Sequence, residues 1–340
     1  MSKDFQAQLE QLLNGEALSE AQAGELMRAL AAGELDAALA GALLAALRAK
    51  GETAEEIRGF ATVMRELAVD PQIPAGQPTV DTVGTGGDGS GSVNLSTGTG
   101  LLAAAAGARV VKHGNRSVSS KSGSADLLEC LGMPLPLDST SAVDLLQATN
   151  FTFLFAPGYH PAMKEVVPVR GAMGVRTVFN MLGPLTNPAA TPYALIGAFS
   201  MDAARLMADT LAGMPIERAF VVHGEPGWDE ATPCGRFALF NVTRGSVEET
   251  TRGPEDYGVA HCEPEDLKGG DAEHNANELR RVFTGEDKGA HRDALMMGTS
   301  LVLEVCGLVD DPRDGADKAA AAIDSGAAQD LLVNIRDHFA

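Results

Sequence analysis

Thr79-Val-Asp-Thr-Val-Gly-Thr-Gly-Gly-Asp-Gly89 joins a short run rich in β-branched residues to a glycine-rich turn. β-branched residues favour a strand, and glycines let backbone N–H groups approach an anion closely. The stretch therefore predicts a strand that ends in an anion-binding loop at the carboxyl edge of a parallel sheet. Its glycines also fit the nicotinamide-binding pattern G-x-G-x-x-G, but that pattern expects an acid about 20 residues later. No acid follows before Asp126, and no Gly-Lys-Ser/Thr follows to complete a P-loop.

Similar β-rich runs recur along the chain and alternate with stretches rich in Ala and Leu that read as helices. This alternation predicts an α/β fold with a mainly parallel central sheet flanked by helices, in which ligands bind beyond the carboxyl ends of the strands. The further runs are residues 109–112, 153–156, 194–198, 219–223 and 237–241.

The first 70 residues instead read as helices. Ser19 and Gln22, and Thr53 and Glu56, have the spacing of capping boxes, which mark helix starts. Three prolines in residues 70–78 cannot be accommodated in a helix and indicate a linker. We therefore expect a small all-α domain at residues 1–72 and a large α/β domain at residues 73–340.

Composition excludes several classes of protein. The 340 residues carry 46 acidic and 26 basic side chains, a formal net charge of -20, which opposes binding to nucleic acid or to an anionic membrane. The longest apolar stretches, residues 37–47 and 101–111, are shorter than the roughly 18 residues of a membrane span. The four cysteines are far apart and show no zinc-binding spacing, so free thiols and a cytoplasmic location are expected.

The charge is unevenly distributed, because no Asp or Glu lies between Asp88 and Asp126. A segment free of acids and supplied with bases suits a compact anionic ligand. A segment buried in the core also avoids acids, so this depletion alone leaves both interpretations open. The bases within the segment are Arg109, Lys112, His113, Arg116 and Lys121.

Three further motifs carry polar chemistry. Asn94-Leu-Ser-Thr97 stands at a predicted helix start, where side chains cap the helix, bind phosphate or hold a metal. Lys112-His-Gly-Asn-Arg-Ser-Val-Ser-Ser-Lys-Ser-Gly-Ser-Ala-Asp126 supplies cations, hydroxyls and backbone amides of the kind that bind phosphate. His223-Gly-Glu-Pro-Gly-Trp-Asp-Glu230 places adjacent carboxylates in a loop after a strand, which suits Mg2+, although most isolated acidic pairs are merely exposed.

Together these motifs resemble the anthranilate phosphoribosyltransferases of tryptophan biosynthesis, over nearly the whole chain and in the same order. The resemblance implies transfer of the phosphoribosyl group of phosphoribosyl diphosphate to anthranilate, with release of pyrophosphate. It extends to His160-Pro-Ala-Met-Lys164, Arg170, Gly174-Val-Arg-Thr177, Asn180 and Leu182-Gly-Pro-Leu-Thr-Asn-Pro188.

The same resemblance implies a role for individual residues. Anthranilate would be contacted by Gly84, Asn115 and Arg170, with His113, His160 and Pro184 along its approach. Magnesium, two ions in each active site, would be bound by Ser96, Asp229 and Glu230. Phosphoribosyl diphosphate would be bound by Gly84, Gly87, Asp88, Ser92, Asn94, Leu95, Ser96, Thr97, Lys112, His113, Gly114, Asn115, Arg116, Ser117, Val118, Ser119, Ser120 and Ser124.

The nucleophile of this reaction is an aromatic amine, which is neutral at pH 7, so no residue is assigned as a general acid or base. Catalysis is expected to depend on positioning and on stabilisation of the leaving group. The family resemblance also implies a homodimer formed through the helical domain.

The sequence departs from the family pattern at a few positions. Gly171 follows the anthranilate arginine where a basic residue is common, and the 225–228 loop contains an unexpected Trp and Pro. Gly298 replaces a usual Asn, which we interpret as a packing difference outside the ligand motifs. Two alternatives are a pyrimidine nucleoside phosphorylase, which would lack the Asp229 and Glu230 pair, and a non-catalytic nucleic-acid-binding relative, which would need a basic surface.

Overall fold

The computed structural model describes residues 2–76, 78–117 and 121–339. The chain begins with four helices. Both predicted capping boxes are confirmed: the Ser19 and Thr53 side chains accept hydrogen bonds from the backbone of Gln22 and Glu56. The helices are α1 (Ser2–Leu13), α2 (Glu20–Ala31), α3 (Ala37–Lys50) and α4 (Ala54–Glu66).

A single seven-stranded sheet follows in the described part of the chain, with spatial order β3-β2-β1-β4-β5-β6-β7. The pairs from β3 to β5 are parallel, and β6 and β7 are added antiparallel at one side. The predicted α/β class with a mainly parallel sheet is therefore confirmed. The strands are β1 (Val80–Gly84), β2 (Val110–Gly114), β3 (Phe151–Phe155), β4 (Tyr193–Gly197), β5 (Arg218–Gly224), β6 (Phe237–Thr243) and β7 (Ser246–Arg252).

Further helices connect and cover the strands. None of the helices in the described ranges is both long and apolar enough to cross a membrane. Two short 3-10 helices lie at Gly183–Leu185 and Pro264–Leu267. The α-helices are α5 (Leu95–Ala105), α6 (Ser124–Cys130), α7 (Ser139–Thr149), α8 (Ala156–Tyr159), α9 (Met163–Met173), α10 (Phe179–Leu182), α11 (Met201–Ala212), α12 (Pro254–Tyr257), α13 (Ala272–Phe283), α14 (Ala290–Val305), α15 (Pro312–Asp324) and α16 (Ala327–Asp337).

Successive residues of the central strands point into two different cores. On β4, Leu195 packs into one core, while Ala194 and Ile196 pack into the other, as the alternation of side chains along a strand requires. The first core contains α5 and α14, and the second contains α11 together with the helices of the N-terminal part. The helical part thus packs directly on one face of the sheet. The predicted boundary at residue 72 stays a prediction.

One strand, β7, was not predicted from the sequence. β7 is largely exposed at the edge of the sheet, and in its sequence, Ser-Val-Glu-Glu-Thr-Thr-Arg, the one apolar residue is Val247, which packs against the second core. Charged side chains on such an edge oppose pairing with another chain. The six predicted strands are confirmed, with their ends shifted by at most two residues.

Candidate active site

Three neighbouring parallel strands, β1, β4 and β5, each end in a glycine: Gly84, Gly197 and Gly224. A Cβ on Gly84 or Gly197 would collide with Asp229, and one on Gly224 would collide with the carbonyl oxygen of Glu230. These glycines therefore let the loop that carries Asp229 and Glu230 lie directly on the carboxyl edge of the sheet.

Asp229 is hydrogen bonded to the glycine loop, defined as residues 84–89. Its Oδ2 accepts a hydrogen bond of 2.6 Å from the backbone N–H of Gly86, and the Thr85 hydroxyl lies 3.5 Å away. Its own backbone N–H donates to Asp88 Oδ2 at 3.4 Å. Asp88 in turn accepts hydrogen bonds from the N–H and hydroxyl of Ser90. The loop and the acidic pair, far apart in sequence, thus form one unit.

The carboxylates at this point carry more negative charge than the surroundings neutralise. Burial, and then the neighbouring Asp88, raise the pKa of Asp229 to about 7. Burial, and then Asp229, raise the pKa of Glu230 well above its usual range, while the cation of Lys112 opposes this rise. A bound cation would offset the repulsion between these carboxylates.

The donors at this edge are all oxygen atoms, which is the ligand type that Mg2+ prefers. They are the carboxylates of Asp88, Asp229 and Glu230 and the hydroxyl of Ser96. Among the described residues, however, no three His, Cys, Asp or Glu side chains converge closely enough to hold a metal ion as they stand. The donor chemistry nevertheless fits magnesium.

Lys112, on β2, is the cation closest to this acidic group in the described contacts. Its ammonium donates to the carbonyl oxygen of Thr82 and lies 3.5 Å from the hydroxyl of Ser96. Its side chain is 1 % exposed, and burial lowers its pKa, while Asp81 and Glu230 act to raise it. Lys112 therefore stands between two sets of acids.

Asp81, inside β1, was not among the predicted site residues. Its Oδ1 accepts a 3.2 Å hydrogen bond from the backbone N–H of His113, and its Oδ2 accepts one of 2.8 Å from the side-chain amide of Asn187. The same amide also donates to the carbonyl oxygen of Val111. Burial raises the pKa of Asp81 to about 6, and Lys112 acts against this rise. An acid inside an apolar strand was the one sequence signal for this network.

The start of α5 is tied to the start of α6. Asn94 occupies the position before α5, but its side chain makes no capping hydrogen bond to that helix. Instead its amide donates to the carbonyl oxygen of Ser122 and its oxygen accepts from Ser122 and from Asn275. The Thr97 hydroxyl donates to that of Ser124 at 3.0 Å. Asn275 was not predicted, because it lies far along the chain.

Other predicted residues lie on the same edge. The Ser92 hydroxyl accepts a hydrogen bond from Ser90, and Leu95 begins α5 and is buried. Gly114 ends β2, where a Cβ would contact a ring carbon of Phe153 at 2.9 Å. The carbonyl oxygen of Asn115 accepts a hydrogen bond from the start of α6.

Arg116 is turned towards α6. Its guanidinium forms two hydrogen bonds with Glu129, at 2.5 and 2.7 Å, and one of 3.1 Å with Asp126. Asp126 also accepts a hydrogen bond from the backbone N–H of Ser117. In this arrangement Arg116 orders the loop before α6 and faces acids of its own chain. The remaining predicted residues of this loop, Val118, Ser119 and Ser120, lie outside the described residues.

Two of the residues predicted along the approach of anthranilate, His113 and His160, are buried side by side. The rings of His113 and His160 are 5.0 Å apart and packed edge to face, and Pro184 is buried in the 3-10 helix after α10. Burial, and then the neighbouring His160, lower the pKa of His113 to about 3, and burial lowers the pKa of His160. Within the described residues, Nε2 of both rings has no hydrogen-bond partner. The Arg170 guanidinium lies 5.4 Å from the ring centre of Phe179.

Two departures from the family pattern have clear structural settings. Gly171 is exposed on α9, and a Cβ there would meet nothing within 4 Å, so a larger residue would be tolerated. Trp228 is buried in the first core, and its carbonyl oxygen accepts a hydrogen bond from the N–H of Gly224. The unexpected Trp therefore anchors the loop that carries the acidic pair.

Gly298, on α14, proves closer to the site than the sequence analysis expected. A Cβ on it would collide with the Thr99 side chain, so it does represent a packing difference. However, it also lines a small internal cavity together with Ser96 and Glu230. The substitution thus lies directly behind the predicted metal ligands.

Comparisons with known proteins agree with this geometry. Residues 6–68 match the model of the glycosyl transferase family, helical bundle domain, and residues 76–329 match that of the glycosyl transferase family, a/b domain. Anthranilate phosphoribosyltransferase of Solibacter usitatus is 45% identical, with 97% of each chain covered, and that of Parvibaculum lavamentivorans is 43% identical over 98% of this chain and 96% of the relative.

Solved structures give the same result. The crystal structure of anthranilate phosphoribosyltransferase from Thermus thermophilus has a TM-score of 0.91 at 41% identity, covering 97% of this chain and 98% of that one. The enzyme from Saccharomyces cerevisiae in complex with PRPP and Mg has a TM-score of 0.90 at 26% identity, covering 99% and 98%. The chain belongs to the anthranilate phosphoribosyltransferases of the glycosyl transferase family.

Proposed function

We infer that this protein transfers the phosphoribosyl group of phosphoribosyl diphosphate to anthranilate and releases pyrophosphate, a step of tryptophan biosynthesis. The observation that carries this inference is the convergence at one sheet edge of the glycine loop, Lys112 and the Asp229 and Glu230 pair. Neither alternative is favoured by the comparisons, because the similar full-length relatives are anthranilate phosphoribosyltransferases.

Phosphoribosyl diphosphate is proposed to bind along the carboxyl edge of β1 and β2. The glycine loop offers backbone N–H groups, the start of α5 offers hydroxyls, and Lys112 supplies a buried cation. Each of these groups favours a phosphate oxygen. The site proposed from the sequence, from Gly84 to Ser124, is retained for the described residues.

Magnesium is proposed to be held by Ser96, Asp229 and Glu230, and the position of Asp88 adds a third carboxylate to the same edge. When bound, Mg2+ stabilises the negative charge that develops on departing pyrophosphate. The raised pKa values of Asp229 and Glu230 support this proposal, because burial and the neighbouring acids disfavour their ionised forms, which a bound cation would stabilise. The relative from Saccharomyces cerevisiae was solved with PRPP and Mg. Two ions per site remain our proposal.

Anthranilate is proposed to bind between Arg170 and the two histidines. A guanidinium can hold a planar carboxylate through two parallel hydrogen bonds. The lowered pKa values of His113 and His160 keep both rings neutral at pH 7, so each can accept a hydrogen bond from the substrate amine. Their buried, unpartnered Nε2 atoms support a polar ligand there, since buried polar atoms are generally hydrogen bonded.

The chemistry then needs little proton transfer. The aromatic amine attacks C1 of the ribose as the C1–O bond to pyrophosphate breaks, and the surplus proton leaves the amine afterwards. The protein holds the two substrates in line and stabilises the leaving group electrostatically. No residue is proposed as a general acid or base.

Location and assembly are also proposals. The four cysteines are free thiols in the described structure, which supports a reducing, cytoplasmic setting. A homodimer formed through the helical part is proposed from the family resemblance, and the exposure of Leu13 at the end of α1 is compatible with it. Sedimentation of the purified protein would test the dimer.

The function is tested by the fluorescence of anthranilate. Mixing the protein with anthranilate, phosphoribosyl diphosphate and Mg2+ is expected to give a steady loss of that fluorescence, with pyrophosphate formed in equal amount. Omission of either phosphoribosyl diphosphate or Mg2+ is the control. A fluorescence that stays constant in the complete mixture would refute the proposed function.

A further inference from the structure

The glycine loop needs external support, because its backbone is intrinsically flexible. Gly86, Gly87 and Gly89 all have positive φ values, of 68°, 73° and 76°. Only glycine adopts this region readily, and glycine loses the most conformational entropy when it is ordered. A loop of this composition binds an anion well only if contacts from elsewhere fix it in advance.

Two contacts support the first half of the loop. The Thr85 hydroxyl accepts a 3.0 Å hydrogen bond from the backbone N–H of Phe199, and Asp229 accepts one from Gly86. The second half is held differently. The guanidinium of Arg176 donates a hydrogen bond of 2.5 Å to the carbonyl oxygen of Gly87.

Arg176 is itself fixed on two sides. Its guanidinium carbon lies 4.2 Å from the ring centre of Phe199, a close cation–π contact. Its carbonyl oxygen accepts a hydrogen bond from the guanidinium of Arg48, which lies in the last turn of α3. A Cβ on Gly87 would lie 2.7 Å from the Arg176 guanidinium, so the contact requires a glycine at this position.

We propose that Arg176 is a positioning residue that clasps the second half of the glycine loop, and that Arg48 couples this clasp to the helical part of the chain. This inference rests on the proposed function, because it assigns the clasp to the binding of phosphoribosyl diphosphate. Arg48 lies 128 residues before Arg176, which lies 89 residues after Gly87, so the clasp joins three distant segments.

The clasp differs from a general stabilising contact. Both Arg48 and Arg176 are exposed, and neither belongs to a core cluster. Loss of either side chain should therefore leave global unfolding nearly unchanged and should act on the loop alone. The consequence for catalysis is a raised KM for phosphoribosyl diphosphate with little change in the KM for anthranilate.

The experiment compares Arg176→Met, Arg48→Met and the double variant in the ligand-free protein. Hydrogen exchange at residues 84–91 is expected to be about tenfold faster in Arg176→Met, because this variant loses one hydrogen bond and one cation–π contact. Arg48→Met should give a smaller increase, and the double variant should match Arg176→Met, because both changes release the same clasp. Arg28→Met is the control, since Arg28 pairs with Glu66 inside the helical part.

The kinetic arm adds a second readout. The KM for phosphoribosyl diphosphate should rise by about tenfold in Arg176→Met, in step with the exchange rate, while the KM for anthranilate changes less than about twofold. Unchanged exchange in Arg176→Met would overturn the clasp, and multiplicative effects in the double variant would overturn its coupling to Arg48. If the wild-type protein shows no turnover, the proposed function is refuted. The exchange comparison would still test whether Arg176 holds the glycine loop.

Discussion

Two groups of buried charge lie on either side of Lys112, one inside β1 and one at the carboxyl edge of the sheet, and they differ in how well they are neutralised. Around Asp81, both carboxylate oxygens accept hydrogen bonds, and Lys112 is close enough to oppose the rise in its pKa. Around Asp229, the neighbouring charges are the acids Asp88 and Glu230, and Lys112 opposes the rise in pKa only of Glu230. The first group is complete within the protein, and the second is not.

This difference indicates what each group is for. A buried charge that is paired and hydrogen bonded organises the structure around it, and removing one partner leaves the other uncompensated. A concentration of like charge costs free energy in the folded state and is retained where function requires it. The Asp81 group is therefore interpreted as structural support for β2, and the Asp229 group as a cation site.

The largest expected effect follows from emptying the acidic group. Changing Asp229→Asn together with Glu230→Gln should reduce turnover by at least about a thousandfold, since stabilisation of the leaving group by Mg2+ amounts to several kcal/mol. Steady-state rates at several Mg2+ concentrations and calorimetric titration of Mg2+ would measure it. Thermal unfolding should not be weakened, because like charges have been removed.

A matched control lies on β7, where Glu248 and Glu249 are an adjacent acidic pair that is exposed. Changing both to Gln should leave turnover unaltered. A double variant at Asp229 and Glu230 that keeps more than a tenth of the wild-type rate would contradict the assignment of the cation site.

The opposite pattern is expected for the complete group. Asp81→Ala should lower the free energy of unfolding by about 3–5 kcal/mol, because Lys112 and the Asn187 amide lose their partner in the interior. Urea unfolding would measure it, with Asp209→Ala on the exposed side of α11 as the control. A loss below about 1 kcal/mol would mean that the group is not a structural unit.

A smaller and more selective effect is expected outside both groups. Arg170→Ala should raise the KM for anthranilate by about 10–100-fold, because a charge-assisted hydrogen bond contributes about this factor to affinity. The KM for phosphoribosyl diphosphate should change little. Initial rates with each substrate varied in turn would measure this, and Lys164→Ala, exposed on the same helix, is the control. Equal increases in both KM values would count against a contact between Arg170 and anthranilate.

The two charged groups also show what could be predicted from the sequence. The glycine loop, the loop from Lys112 and the acidic pair were found because each motif is contiguous and its residue types are unusual there. The β-rich runs located six strands, because each of these strands has apolar residues facing a core. β7 has only Val247 against a core and was not predicted.

Long-range partners could not be predicted. Asp81 and Asn187 lie 106 residues apart, and an acid inside an apolar strand does not indicate which distant residue pairs with it. The role of Gly197 likewise depends on a loop more than thirty positions away, which approaches the strand end only in the folded chain. Contacts of this kind are set by the topology of the sheet and leave no local pattern.

The last expected effect concerns pH and is small for each pH unit. The pKa of Asp229 is raised by burial and by Asp88 to about 7 in the folded protein, so between about pH 4 and 7 the unfolded state binds fewer protons at this residue than the folded state does. Ionisation of Asp229 therefore weakens folding as the pH rises through this range, by at most about 1.4 kcal/mol per pH unit, or about 2 °C in the unfolding midpoint.

The measurement compares the thermal unfolding midpoints of the wild type and Asp229→Asn without Mg2+. With each rise of one pH unit, the midpoint of the wild type should fall by this amount relative to that of Asp229→Asn. Saturating Mg2+ should reverse the trend, because the cation binds the ionised carboxylate. A difference that stays constant from pH 4 to 7 would show that the carboxyl group of Asp229 already has a compensating partner, and the contrast between the two groups would then be lost.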